Sequence, residues 1–159
     1  MIVYKLFDLH KNGLGPLYVN RSDRYPMNEW IEAEMGPLAD DKHVKSKLGN
    51  LSAKHPGFHC TKIPFTDWIG VKTNEGLVRR KNNVWVECEV KGNEVEPDWY
   101  HIPDGFYYIR TNSKQKDPWI ICRYLKLLRV LSDEEVDSIC RAHGIEPQRK
   151  EGEECRSAS

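Results

Sequence analysis

The chain has 159 residues, 39% of them hydrophobic and 30% charged, and its 24 basic and 24 acidic side chains cancel. That length suits one domain, and the composition lies outside the low-hydrophobicity, high-net-charge regime of disordered chains. Charge balance supplies no global field toward nucleic acid or an anionic membrane, and no apolar run approaches the roughly 20 residues that cross a bilayer, so a cytoplasmic domain is expected.

Ile2 to Leu9 is rich in β-formers, and Lys11-Asn12-Gly13 followed by Pro16 to Asn20 marks a turn between paired strands, so the chain opens as a hairpin. Trp30 to Glu34 reads equally as a short strand or one helical turn, because five residues do not separate the two periods. From Gly36 to Pro56 the sequence is polar and broken by Pro37, Gly49 and Asn50, which predicts a long loop with a short helix around Asp41 to Leu48. Phe58 to Ile63 is a strand candidate, and Gly70, Asn74 and Gly76 favour an irregular hairpin between Trp68 and Arg80.

Asn83 to Lys91 is the cleanest strand, with Val84, Val86, Cys88 and Val90 alternating against Trp85, Glu87, Glu89 and Lys91. Phe106 to Thr111 and Trp119 to Leu131 are further strands expected in the same sheet. Ser132 and Glu135 form a capping box, Leu131 can staple onto Val136, and Val136, Ile139, Cys140 and His143 recur as one buried helical stripe that Gly144 ends. The prediction is therefore an α+β domain over 1–146, mainly an antiparallel sheet with a long polar loop and one C-terminal helix. A disordered charged tail is expected over 147–159.

Cys60, Cys88, Cys122, Cys140 and Cys155 are odd in number and contain no C-x-x-C pair, which argues against a disulfide framework or a zinc ribbon and for a reducing compartment. Cys88 and Cys140 read as small buried hydrophobes.

Chemistry concentrates at His55-Pro56-Gly57-Phe58-His59-Cys60-Thr61, where imidazole, thiol and hydroxyl groups stand beside a permissive glycine. The same residues read as a tight turn entering a strand with His59 in the interior, and both readings stay open. A metal site on His55, His59 and Cys60 lacks a helix to align them and a fourth ligand, and no metal is expected. Cysteine nucleophilic catalysis would pair Cys60 with a distant histidine such as His101. His59-x-Thr61 has no second His-x-Thr or His-x-Ser partner of the kind a two-histidine phosphoesterase needs.

Lys42, Lys45, Lys47, Lys54 and Lys62 make a basic segment free of acids, suited to a phosphate-bearing ligand. Arg79-Arg80-Lys81 reads as a basic hairpin tip rather than a nucleic-acid reader. Glu87 and Glu89 are acid, base or ribose ligands if their face lines a cleft, and solvated residues otherwise. Five tryptophans make either a stacking wall or the aromatic filling of the sheet, and the filling is the simpler reading.

The segments Val3-Tyr4-Lys5-Leu6-Phe7, Gly15-Pro16-Leu17-Tyr18-Val19-Asn20-Arg21, Glu29 to Glu34, Pro56 to Thr61, Val84 to Val90 and Lys126 to Leu131 resemble a family of short bacteriophage and prophage proteins. The resemblance spans most of residues 3 to 131. It implies a phage setting, hence the cytoplasm of a host cell, and no particular reaction. More distantly, Tyr4-Lys5, Gly57-Phe58-His59 and Val86 to Val90 are similar to the strands of ADP-ribosyltransferases. That scaffold would bring NAD or another nucleotide, although no glutamate lies in Trp119 to Leu131 where the catalytic one is sought.

The resulting expectation is a phage accessory protein that binds either a ligand, of which a nucleotide or another phosphate-bearing compound is the candidate, or a host protein, through Tyr4, Lys5, Lys54, His55, His59, Thr61 and Glu87. The alternatives are a nucleotide-dependent enzyme of ADP-ribosyltransferase type and a virion or host-factor interaction protein without a pocket. No cofactor is expected outside the transferase reading.

Overall fold

The computed structural model describes residues 1–17, 22–33, 57–67, 69–74, 76–96, 102, 105–110 and 118–152. In chain order the strands among them are β1 Ile2–His10, β2 Gly13–Gly15, β3 Trp30–Glu32, β4 Phe58–Cys60, β5 Val71–Thr73, β6 Gly76–Val78, β7 Asn83–Val90, β8 Asn93–Glu94, β9 Phe106–Arg110, β10 Trp119–Cys122 and β11 Tyr124–Val130. One helix among the described residues, α1 Asp133–Ala142, follows them. The strands form a five-stranded sheet in the order β2-β1-β7-β11-β3, a four-stranded sheet in the order β4-β10-β9-β8, and the hairpin β5-β6. Every pairing is antiparallel except β8 with β9. The domain is mostly β rather than a balanced mixture of helix and sheet. Its expected polar loop over 36–56 lies outside the described residues.

The opening hairpin forms where Asn-Gly predicted it: His10 pairs with Gly13, leaving Lys11 and Asn12 as the turn. Trp30 to Glu32 resolves as a strand, paired to β11. At the centre, β7 lies between β1 and β11, and its alternation decides which core each side chain joins. Val86, Cys88 and Val90 face the second sheet and pack with Val3, Phe7, Phe58, Cys60, Ile120, Cys122, Leu125 and Leu127. Trp85 faces the other way and packs with Leu6, Leu131, Val136 and Cys140 under α1.

The run from Trp119 to Leu131 does not join a single sheet. It bends at Arg123, so β10 belongs to the second sheet and β11 to the first. All four residues of β10 are buried because both of its faces are covered: Ile120 and Cys122 meet the inter-sheet core, and Trp119 and Ile121 pack with Ile102 and Tyr108 behind it. The two sheets also meet along β1, where Tyr4 N–H donates to Thr61 O at 2.8 Å and Thr61 N–H to Tyr4 O at 2.7 Å.

Helix α1 carries the expected capping box, with the Ser132 side chain accepting from Glu135 N–H and the Glu135 carboxylate accepting from Ser132 N–H. Gly144, at φ 71°, supplies the left-handed stop. His143 departs from the predicted stripe and is exposed: it is the C-cap, past the end of the buried face, and its Nδ1 lies 2.9 Å from Ile139 O.

The expected tail is also corrected, because 147–152 is built into the domain. Arg79 N–H donates to Arg149 O and Glu151 N–H to Arg79 O, each at 2.7 Å. The Gln148 amide reaches Ile69 O and Leu77 O, each at 3.1 Å. Polar composition suggested a solvated terminus, but the backbone groups at Arg79 after β6 needed partners, and this segment supplies them. Residues 153–159 lie outside the described residues.

Candidate functional site

The residues nominated from sequence divide among three layers. Tyr4 and Glu87 are cross-strand partners. Tyr4 packs with the cluster under α1, and burial, then the Glu87 carboxylate, raises its phenol above the usual tyrosine range. Glu87 is held by Arg129, whose Nε donates to Oε2 at 2.8 Å and whose other guanidinium arm pairs with Glu135. Lys5 turns toward the inter-sheet core instead: Nζ donates to His59 O at 3.1 Å and stands 5.7 Å from the Phe7 ring centre.

His59 points to the far side of the second sheet. Its ring meets the edge of Trp119 at 5.8 Å between centres, and Nδ1 lies 3.2 Å from Gly57 O. The Thr61 hydroxyl is buried and donates to the carbonyls of Ile63 and Tyr4. Thus Tyr4, Lys5, His59, Thr61 and Glu87 are neighbours along the backbone, yet their side chains enter different environments. Lys54 and His55 lie outside the described residues, as do Lys42, Lys45 and Lys47. Cys60, Cys88 and Cys122 are buried in the inter-sheet core, and burial pushes the Cys88 and Cys122 thiols up, which keeps them protonated.

A cleft of about 410 Å³ opens at the turn end of β1 and β7, and none of those five residues lines it. Alternation along β1 places Asp8 and His10 on the same face as Leu6, and the register sets Asn83 opposite Asp8, just as Trp85 stands opposite Leu6. The apolar cluster under α1 includes Leu6 and Trp85, and the next cross-strand pair, Asp8 with Asn83, lines the cleft. Gly15, the β2 partner of Asp8, leaves space for the histidine, since a Cβ there would stand 3.2 Å from His10 Nε2 and 2.9 Å from Arg24 Nη1.

Asn83 is 2% exposed and donates through Nδ2 to Asp8 Oδ1 at 3.0 Å. Leu17 and Ile69 provide apolar wall, while Arg80, Lys81 and Glu151 form the charged rim. At that rim the Lys81 backbone N–H donates to Glu151 Oε2 at 3.1 Å. Arg80 and Lys81 are exposed, as expected of a basic cluster. Arg79 is not: it is 4% exposed and paired with Asp133 Oδ1 at 2.5 Å. The three residues are therefore no hairpin tip. They connect β6 to β7, with Arg79 anchoring the segment and its two neighbours facing the cleft.

Sequence reading passed over Asp8, His10 and Asn83. The signal available was the pair of polar residues at alternate positions where an otherwise apolar strand ends. Which residue would stand across from them depended on a register that no local pattern specifies. No family model, no curated protein and no solved structure matches the chain. Among the described residues, no helix is long and apolar enough to cross a membrane.

Proposed function

We propose that this chain is a phage-encoded accessory protein that binds a small phosphate-bearing ligand in the cleft between Asp8, Asn83 and the Arg80–Lys81 rim. The observation that carries the reading is the seat already filled by a carboxylate: Glu151 Oε2 rests on the Lys81 N–H, on a rim that also presents the Arg80 and Lys81 side chains. A backbone donor beside two cations suits an oxyanion, and a phosphate oxygen would use the same donors. The volume falls within the range of small-molecule sites, and Leu17 and Ile69 give the organic part of such a ligand an apolar surface.

Thermal shift with inorganic pyrophosphate, NAD, ADP-ribose and cyclic dinucleotides tests the reading. A ligand at about ten times its Kd stabilises the native state by roughly 1.4 kcal/mol, which is a rise of about 3–6 °C for a domain of this size. At least one compound is expected to give such a rise, and Arg80→Ala/Lys81→Ala is expected to abolish it. No rise with any of them, or a rise that the double variant keeps, would overturn the proposal.

A further inference from the structure

The segment Pro147-Gln148-Arg149-Lys150-Glu151-Gly152 has Pro147 as its one apolar side chain, so polar contacts rather than burial must hold it. It docks as a parallel strand would: Arg79 N–H donates to Arg149 O and Glu151 N–H to Arg79 O, which sets Lys150 opposite Arg79. Alternation puts the Lys150 side chain on the side of Arg79, where both meet Asp133, and turns Glu151 the other way, to the cleft. The anion on the Lys81 N–H is therefore carried by the strap itself. That N–H is a single donor. It cannot serve Glu151 and a phosphate oxygen at full strength together, and two anions brought to one donor repel each other.

We infer that 147–152 is an autoinhibitory strap: the Glu151 carboxylate and a phosphate-bearing ligand exclude one another at the Lys81 N–H, so that occupation of the cleft loosens the strap from Arg79. The inference rests on the anion-binding reading above and adds the regulation of that site. Linkage makes the coupling reciprocal, since the factor by which the docked carboxylate weakens the ligand is the factor by which the ligand weakens docking. The contact at stake is one exposed hydrogen bond, which sets that factor at about 2–10. Gln148 and Lys150 keep their own partners away from the seat, so the strap opens more often without being expelled.

The test is hydrogen exchange followed by NMR on the full chain, with and without pyrophosphate at a concentration that calorimetry shows to saturate it. The Arg79 and Glu151 amides are bonded across the strap, so their exchange reports its opening. Both are expected to exchange about 2–10-fold faster with pyrophosphate, while the amides of Val86 and Cys88 in β7 do not speed up. Binding alone has the opposite sign, because it stabilises the native state and slows exchange. In Glu151→Gln, with no tethered anion to displace, the acceleration should disappear. The wild-type comparison decides even if that variant fails to fold. Pyrophosphate that binds without speeding the two amides, or that speeds them equally in Glu151→Gln, overturns the inference and leaves the anion seat intact. No calorimetric binding of pyrophosphate to the wild-type chain overturns the anion seat and the inference with it.

Discussion

Replacing Asp133 by Asn should reveal how the rim of the cleft is anchored. Asp133 opens α1 and pairs with Arg79 at 2.5 Å and with Lys150 at 3.3 Å. Burial raises its carboxyl, but the hydrogen bond and charge of Arg79, followed by those of Lys150, outweigh this and hold it below the usual carboxylate range. The substitution leaves a buried guanidinium beside a second cation. Breaking a fully buried pair costs about 3–5 kcal/mol. The Asp133 side chain is 38% exposed, and solvent screening brings that figure to about 2 kcal/mol. Losing a negative charge at the helix N-terminus adds about 0.5 kcal/mol.

The expected loss of about 2–3 kcal/mol is a fall in Tm of roughly 5–10 °C, read by thermal and urea unfolding with circular dichroism. Its pH dependence has a definite sign. Because the folded pKa is depressed, the stabilisation is fully present above the unfolded value, near 3.8, and is lost as pH falls through the folded one. The gap between wild type and Asp133→Asn should therefore narrow in acid. A variant within about 0.5 kcal/mol of wild type at neutral pH, the size of an ordinary surface change, would refute the reasoning. So would a gap unchanged by acid.

Two further outcomes follow from particular contacts. Glu151→Gln removes the tethered anion from the Lys81 N–H while Glu151's backbone bond to Arg79 remains available, so pyrophosphate should bind about 2–10-fold more tightly in calorimetry. Gly92→Ala should cost more than about 3 kcal/mol, because its Cβ would stand 1.5 Å from Gly105 O and φ is +86°. Gly105→Ala, with open space around it and φ +80°, should cost only about 1 kcal/mol. Urea unfolding of the two variants side by side checks whether close approach rather than backbone sign dominates.

Residues whose role depends on nearby chain were legible before any coordinates. The Asn12-Gly13 turn, the capping box of Ser132 and Glu135, the left-handed Gly144 and the alternation of β7 each follow from chemistry within a few positions. Trp85 fits the aromatic-filling reading, being packed under α1. Arg123 did not announce the bend that sends β10 and β11 into different sheets, because each half of that run has the same β-forming composition. The tail was misjudged for a related reason. Gln148 and Glu151 look solvated by type, and 147–152 finds its place through distant partners: the backbone groups at Arg79, the carbonyls of Ile69 and Leu77, and Asp133.

The amino-acid sequence by itself determined the class of the elements, the ends of α1 and the face each strand residue shares with its neighbours, since these depend on torsional preference and periodicity along the chain. Tertiary structure alone decided that Asp8 meets Asn83, that His59 turns toward Trp119 instead of joining Tyr4, and that Glu151 returns to the Lys81 amide. Those choices are made by strand register and by long-range hydrogen bonding between segments dozens of residues apart. Local propensity has no energy term that compares one such partner with another.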